Sequence, residues 1–345
     1  MHYNIALIGF GGVNRALADI IATDPDRFYC EMGFNLRIVA VSDMFLGSVY
    51  SPEGIDLDLL TTLPAAQGAC AELPNGKATA DNEDIIKNSN ADIVVEATIT
   101  DSMTGQPAIS HCRWALSAGK HVSTTNKGPL AFAEKELMVL ALKNNVGFEY
   151  EGVVMSGTPV LRFADKLLKG SGINKFTGIV NGTANYVLGL VEQGYTFADA
   201  ITSAQQQGYA EADPSADIEG KDVVLKVIVL ANRLWDANLT QENVQCQGIT
   251  GLTETMVKQA AAEGCHWKLL GKASKQEDGS IVASVSPEKL SIVHPLAGIS
   301  GAVNAITFTS GMLGDVTVSG PGAGRVETAY AILSDIIAIH QRKGS

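Results

Sequence analysis

The sequence predicts an α/β fold: a doubly wound parallel sheet followed by a second, α+β domain. Three observations predict it. Short β-branched runs alternate with helical patterns from residue 3 to about 150, which is how a parallel sheet with crossover helices is written. A glycine-rich turn follows the first of these runs. Beyond Gly152 the alternation stops, helices dominate, and antiparallel-looking runs follow. At 345 residues the chain also exceeds one ordinary core, at about 100–200 residues per domain.

The strands are expected at 5–9, 36–42, 93–97, 121–124 and 146–150, with helical crossovers at 14–22, 82–87, 107–118 and 131–144. Segment 51–78 carries Pro52, Pro64 and Pro74 and reads as a loop with at most one short helix. In the second domain, helices are expected at 183–193, 197–207 and 221–233, and antiparallel strands around 268–273 and 281–285. From Val316 a fresh glycine turn and a helix over 326–340 return to the first domain. The expected division is therefore 1–150, completed by 316–345, and 151–315.

Composition narrows the partners. A net charge of -12 with no cluster of Lys and Arg leaves nothing to follow a phosphate backbone, so nucleic acid is excluded. The most apolar helices are interrupted by Lys226 and Asp335, so none offers the roughly 20 apolar residues of a membrane span. Met1 passes directly into the apolar run 5–8, without the regions of a secretory signal, and a cytoplasmic protein is expected. Five cysteines without a Cys-x-x-Cys pair suggest buried thiols, neither disulfides nor zinc. His111-Cys112 and Cys265-His266 are neighbours whose side chains diverge, which disfavours a metal.

The turn Gly9-Phe10-Gly11-Gly12-Val13-Asn14 leaves the first strand and opens the first helix, where glycines let the backbone approach a pyrophosphate at the helix head. It makes the sheet Rossmann-type and predicts NAD or NADP. Asn14 replaces the third glycine of that fingerprint, so the helix is expected to sit slightly further out or to be capped by this amide. Asp43 ends the second strand and can accept from the adenosine ribose, which leans towards NAD; alternatively it only begins a solvent turn. Thr98, just beyond the third strand, is counted with the same site.

Two lysines suggest the chemistry. Lys127, in Thr125-Asn126-Lys127-Gly128-Pro129, leaves the fourth strand at its carboxyl end, the rim where ligands of open α/β sheets collect; the bland alternative is a surface lysine. Val223, Val227 and Leu230 form an apolar helical stripe, and Lys226 lies within it. Such a lysine snorkels, pairs with an acid or loses its charge, and Asp222 four residues earlier is placed to pair with it. That is how a lysine becomes a proton-transfer group. Upstream, Glu211, Asp213, Asp217, Glu219 and Asp222 are crowded ahead of the helix; acids there also simply complement its dipole.

These segments, with Asn181-Gly182-Thr183-Ala184-Asn185-Tyr186 and Gly320-Pro321-Gly322-Ala323-Gly324, occur in the order found in homoserine dehydrogenases, and the chain resembles that family over nearly its whole length, without a C-terminal regulatory domain. The resemblance implies NAD(P)-linked interconversion of L-homoserine and L-aspartate 4-semialdehyde. In it Lys226 matches the proton donor and acceptor, and Lys127 matches the lysine holding substrate and cofactor, so the two bracket the reacting carbon. Glu211 and Asp222 match acids that bind the amino-acid substrate, assisted by Asp213 and Asp217. Gly322 belongs to the turn that returns to the nicotinamide. By position, the carbonyls of Glu151, Val154, Ser156 and Thr158 match ligands of a monovalent cation such as sodium, although a plain hinge fits equally. The resemblance also implies a homodimer through the second domain. A dehydrogenase of another small hydroxy acid and a non-catalytic nucleotide sensor are the competing readings.

Overall fold

The computed structural model describes residues 1–24 and 26–342, so the last three residues of the expected returning segment, 343–345, lie outside the described residues. The chain forms two compact units, Met1–Val153 with Gly324–Ser345, and Val154–Ala323.

The first unit is built on a seven-stranded sheet. Its strands are β1 (His2–Ile8), β2 (Asn35–Asp43), β3 (Gly47–Tyr50), β4 (Gly76–Lys77), β5 (Ile93–Glu96), β6 (His121–Thr124) and β7 (Phe148–Glu149), in the spatial order β4-β3-β2-β1-β5-β6-β7. Strands β2, β1, β5, β6 and β7 run parallel, and the order reverses between β1 and β5. Ligands of doubly wound folds bind at such a reversal. Residues Ile5 to Ile8 are all inaccessible, as required of a central strand covered on both faces. The Pro-containing segment holds more than the expected loop: the short helix Leu57–Thr61 is followed by a 3-10 turn, Ala69–Glu72, and by β4, which pairs antiparallel with β3 just ahead of the segment, itself antiparallel to β2. β3 and β4 pair because Gly47, at φ +95°, presses its bare Cα against the Lys77 carbonyl; strands of four and two residues are too short to show a period.

The returning helix Arg325–Arg342 joins the same core. Its Ile332, Leu333, Ile336 and Ile339 pack in one cluster with Tyr3, Leu7, Leu17 and Ile21. Asp335, fully buried in this helix, accepts from Ser123 Oγ at 2.7 Å and from the Glu151 N–H at 3.2 Å, donors that a buried carboxylate requires.

The second unit carries a six-stranded sheet of β8 (Ile173–Ile179), β9 (Val244–Cys246), β10 (Cys265–Lys275), β11 (Ile281–Ser291), β12 (Val303–Ser310) and β13 (Gly314–Pro321), ordered β13-β12-β8-β10-β11-β9. The two runs expected in sequence are the middle of β10 and the start of β11 in a long hairpin, paired from Cys265 opposite Ser291 to Lys275 opposite Ile281. Helix Lys221–Trp235 lies close against it: a Cβ on Gly271 would meet Val227 at 2.7 Å and Val223 at 2.8 Å. Residues 316–321 belong to the edge strand β13, paired with β12. The return to the first unit therefore begins at Gly324, later than the 316 expected, because these residues complete a ladder before the chain leaves.

Candidate functional site

Each glycine of the first turn has its own cause. Gly9 has φ +78°, and a Cβ there would lie 2.9 Å from the Ala97 carbonyl oxygen, so backbone and packing both demand it. Gly12 is helical, and its missing Cβ makes room for the Arg325 side chain, whose Cδ would stand 2.8 Å away. Gly11 has the ordinary backbone angles φ -83° and ψ -159°, and no atom lies within 4 Å of a Cβ built on it. Neither strain nor protein packing explains that glycine. A ligand that must come close to the backbone does.

The head of helix Gly12–Thr23 supports this. Its N-cap, Gly11, offers no side-chain bond, and its first turn contains no acid, so the leading N–H groups and the positive end of the dipole are uncompensated. Asn14, the residue in place of the third glycine, is fully buried and does not cap; its Nδ2 donates to the Gly9 carbonyl at 2.6 Å, pinning the turn. Asn14 Oδ1 is buried without a partner. Phe10 is not positioned to touch a cofactor with its side chain, which is buried in the core, and its N–H is spent on Asp43 Oδ2 at 2.8 Å. Asp43 Oδ1 meanwhile accepts from the N–H groups of Phe45 at 2.8 Å and Leu46 at 3.0 Å. Asp43 thus ties the glycine turn to the end of β2, with three of roughly four lone-pair positions used and one open for a ribose hydroxyl.

Beneath the carboxyl ends of β5 and β6 runs a polar network that sequence reasoning missed. Glu96, inaccessible to solvent, accepts from Thr124 Oγ1 at 3.0 Å and Thr98 Oγ1 at very short range. His111 Nδ1 lies 3.5 Å from the same carboxylate, and its Nε2 lies 3.0 Å from Asn82 Nδ2; a ring with its proton on Nδ1 satisfies both. Asn82 Oδ1 accepts from Ser42 Oγ at 2.6 Å. On the other side, Asn126 Nδ2 donates to the Thr98 carbonyl at 3.0 Å, and Asn126 Oδ1 caps the helix Lys127–Phe132 by accepting from Gly128 N–H at 2.9 Å. The network fixes Thr98 and the helix start that presents Lys127, which is half-buried. Glu96→Ala strands the Thr124 hydroxyl and the His111 ring in a dry interior; an expected loss of about 3 kcal/mol is read from the denaturant midpoint, with Glu96→Gln losing less.

In the second unit the acids are gathered by an amide. Lys226 is 7% exposed; its Nζ lies 2.7 Å from Asp222 Oδ2 and donates to the Val180 carbonyl at 2.6 Å. Asn181, at the end of β8, donates through Nδ2 to Asp222 Oδ2 at 2.9 Å and to Asp217 Oδ1 at 2.7 Å. Its Oδ1 caps the helix Gly182–Glu192 by accepting from Ala184 N–H. Asp217, Asp222 and Lys226 are therefore brought together, and Asn181 holds them. Glu211 and Asp213 are exposed and outside this cluster. Asp213 Oδ1 accepts from the Ser215 N–H at 3.0 Å, and that bond holds its carboxyl below the usual range. A second buried lysine, Lys268, has no carboxylate on its ammonium; it donates to the Ile299 carbonyl at 2.6 Å and Asn185 Oδ1 at 3.1 Å. Burial pushes its pKa down. It fastens the 292–302 loop.

Of the other expected positions, Gly322 abuts Asn304, whose amide is buried with both polar atoms unpartnered. Met155 and Ser156 have left-handed φ of 60° and 52°, and Thr158 Oγ1 donates to the Pro321 carbonyl at 3.0 Å. Among the described residues no helix is long and apolar enough to cross a membrane.

A glycine turn with an open Cα at an uncompensated helix head, set at the reversal of a doubly wound sheet, is the mark of the dinucleotide-dependent oxidoreductases. The family model of the homoserine dehydrogenase NAD-binding domain matches residues 9–151, and the homoserine dehydrogenase model matches 159–337. The chain is 57% identical over 339 residues to the NAD(+)-dependent homoserine dehydrogenase of Pseudomonas canavaninivorans, covering 98% of this chain and 96% of that one. To the homoserine dehydrogenase of Methanocaldococcus jannaschii it is 35% identical, with 98% of each covered. Among solved structures, a hyperthermophilic archaeal homoserine dehydrogenase in complex with NADPH superposes with TM-score 0.82 at 29% identity, covering 99% of this chain and 98% of that one. One from Thiobacillus denitrificans gives 0.84 at 28%, covering all of this chain and 74% of that one. The chain belongs to the homoserine dehydrogenase family, NAD(P)-dependent oxidoreductases that interconvert L-homoserine and L-aspartate 4-semialdehyde.

Proposed function

We propose that Lys226 is the proton-transfer group of this reaction and that Lys127 holds substrate and cofactor at the rim of β6. The observation that carries the reading is the accounting at Lys226 Nζ. An ammonium has three donors; Asp222 and the Val180 carbonyl take two, and the third is open to a substrate oxygen. As the ammonium, Lys226 delivers a proton to the aldehyde oxygen in reduction; as the neutral amine that results, it receives the hydroxyl proton in oxidation. Asp222 and Asp217, held by Asn181, supply negative charge for the α-ammonium of the amino acid; Glu211, exposed and outside their cluster, is assigned to that group by its position in the sequence alone. When bound, the nicotinamide cofactor would supply the hydride acceptor in oxidation and, in its reduced form, the hydride donor in reduction. Gly11, Gly12 and Val13 would hold its pyrophosphate by their N–H groups, with Asp43 and Thr98 towards the ribose and nicotinamide sides. The remaining acceptor position of Asp43, together with the cofactor in the Pseudomonas relative's name, favours NAD over NADP.

A monovalent cation on the carbonyls of Glu151, Val154, Ser156 and Thr158 is assigned by position in the sequence alone, as is Gly322 on the nicotinamide side. The free state of all five cysteines fits a cytoplasmic enzyme, and the exposed Ile292, Val293, Met312 and Leu313 of the second unit fit a homodimer. The test is reduction of NAD and of NADP by the chain with homoserine, and with other hydroxy acids in parallel. Turnover confined to homoserine, faster with NAD, is expected, and Asp222→Asn should raise the homoserine KM about tenfold or more. Turnover of another hydroxy acid in preference to homoserine, or none with either cofactor, overturns the reading.

A further inference from the structure

We infer that Arg325, from the far end of the sequence, contacts the cofactor's pyrophosphate and adds a formal positive charge to the partial charge of the helix head. The inference rests on the reading of that turn as the dinucleotide site. Its starting point is a complementarity within the first unit. Gly12 is glycine for no backbone reason, and the space of its missing Cβ is filled by Arg325: Cδ, Nε and Cγ would stand 2.8, 3.0 and 3.1 Å away. The stem of Arg325 and its Nε therefore pack against Gly12, at the first turn of helix Gly12–Thr23.

By itself that placement is electrostatically wrong. A helix head is positive, and cations there are disfavoured while anions are favoured. The first turn of Gly12–Thr23 has no acid and no capping side chain to offset the added charge. Arg325 makes no ion pair among the described residues. The nearest acid along its own helix, Glu327, folds back on Gly324, its Oε2 reaching 1.9 Å from where a Cβ of that residue would stand, and so serves the head of Arg325–Arg342. Asp43, the acid of the neighbouring strand end, is committed to the N–H groups of Phe10, Phe45 and Leu46. What remains is an exposed arginine beside Gly12, next to a turn with unsatisfied N–H groups and an open Cα at Gly11, and no acid of the turn or of the strand end free to balance it. A diphosphate supplies the missing negative charge: two anionic oxygens for the N–H groups and one or two for the fork of the guanidinium.

The test is calorimetric binding of NAD, ADP and adenosine to the full chain and to R325A, R325K and G11V. R325A should weaken NAD and ADP about tenfold and leave adenosine unchanged, with R325K intermediate and the loss shrinking as salt is raised. The melting temperature of ligand-free R325A should equal or exceed that of the wild type, because an opposing charge has been removed; a merely structural arginine would lower it. ADP binding that G11V abolishes but R325A leaves intact overturns the assignment of Arg325 alone, as does a loss shared equally by adenosine. ADP binding that survives G11V overturns the reading of the turn, and the inference with it.

Discussion

Lys226→Ala is expected to lower kcat by about 10²–10⁴-fold, the usual worth of a positioned acid or base, with cofactor affinity unchanged. The side chain removed is the only donor of the cluster whose third N–H has no assigned acceptor, so no neighbour can take its place: Asn181 Nδ2 is occupied by Asp222 and Asp217. The substitution also leaves Asp222 without its cation. Asp222 keeps the Asn181 bond and is partly exposed, so the loss of stability should be no more than about 1–3 kcal/mol, and a folded variant is recovered. Lys226→Met retains the bulk of the stem and separates packing from proton transfer. Turnover by stopped flow and cofactor binding by calorimetry check this. Either variant working at the wild-type rate removes Lys226 from the chemistry.

Gly11→Val should do the reverse, sparing the fold and removing the cofactor. The backbone of Gly11 is extended, and the position above it is clear of protein to 4 Å, so the ligand-free protein should lose no more than about 1 kcal/mol, the cost of a valine at an N-cap. The same isopropyl group occupies the approach to the helix head, and affinity for NAD should fall at least a hundredfold, about 3 kcal/mol. Gly9→Val is the contrasting control. It places a branched side chain at φ +78° and 2.9 Å from the Ala97 carbonyl, and should lower stability by several kcal/mol before any binding is measured. If Gly11→Val unfolds as readily as Gly9→Val, the empty space above Gly11 has been misjudged.

The parts of this molecule legible in sequence are those whose signal is local. The parallel strands β1, β2 and β5 of the first unit carry apolar, β-branched runs bounded by helices, and their positions follow. β3 and β4 escape because their pairing depends on the close approach of Gly47 to Lys77, and β13 reads as the start of the return because Gly320, Gly322 and Gly324 read as a turn into the last helix. Lys226 was legible because a single charge in an apolar stripe has few explanations. Asn181 was not: it binds acids 36 and 41 residues downstream, and no spacing rule connects an amide at a strand end with carboxylates in another segment. Glu96 lay inside an apolar strand and gave the one available hint, a carboxylate with nowhere to go but other side chains. Asp43 was located correctly as the end of β2, yet the three N–H groups it accepts arise from turns on both sides, which periodicity does not describe.

The discontinuity of the first unit bears on how the protein is made. Residues 1–153 leave the ribosome without Ile332, Leu333, Ile336 and Ile339, so the face of the sheet that these side chains seal stays open, and Ser123 waits for Asp335. At 5–20 residues per second the wait lasts roughly 10–40 seconds. In that interval Val154–Ala323, uninterrupted in sequence, is synthesised whole. The nucleotide-binding half is begun first and finished last, and during translation it is the half in need of a chaperone's shelter.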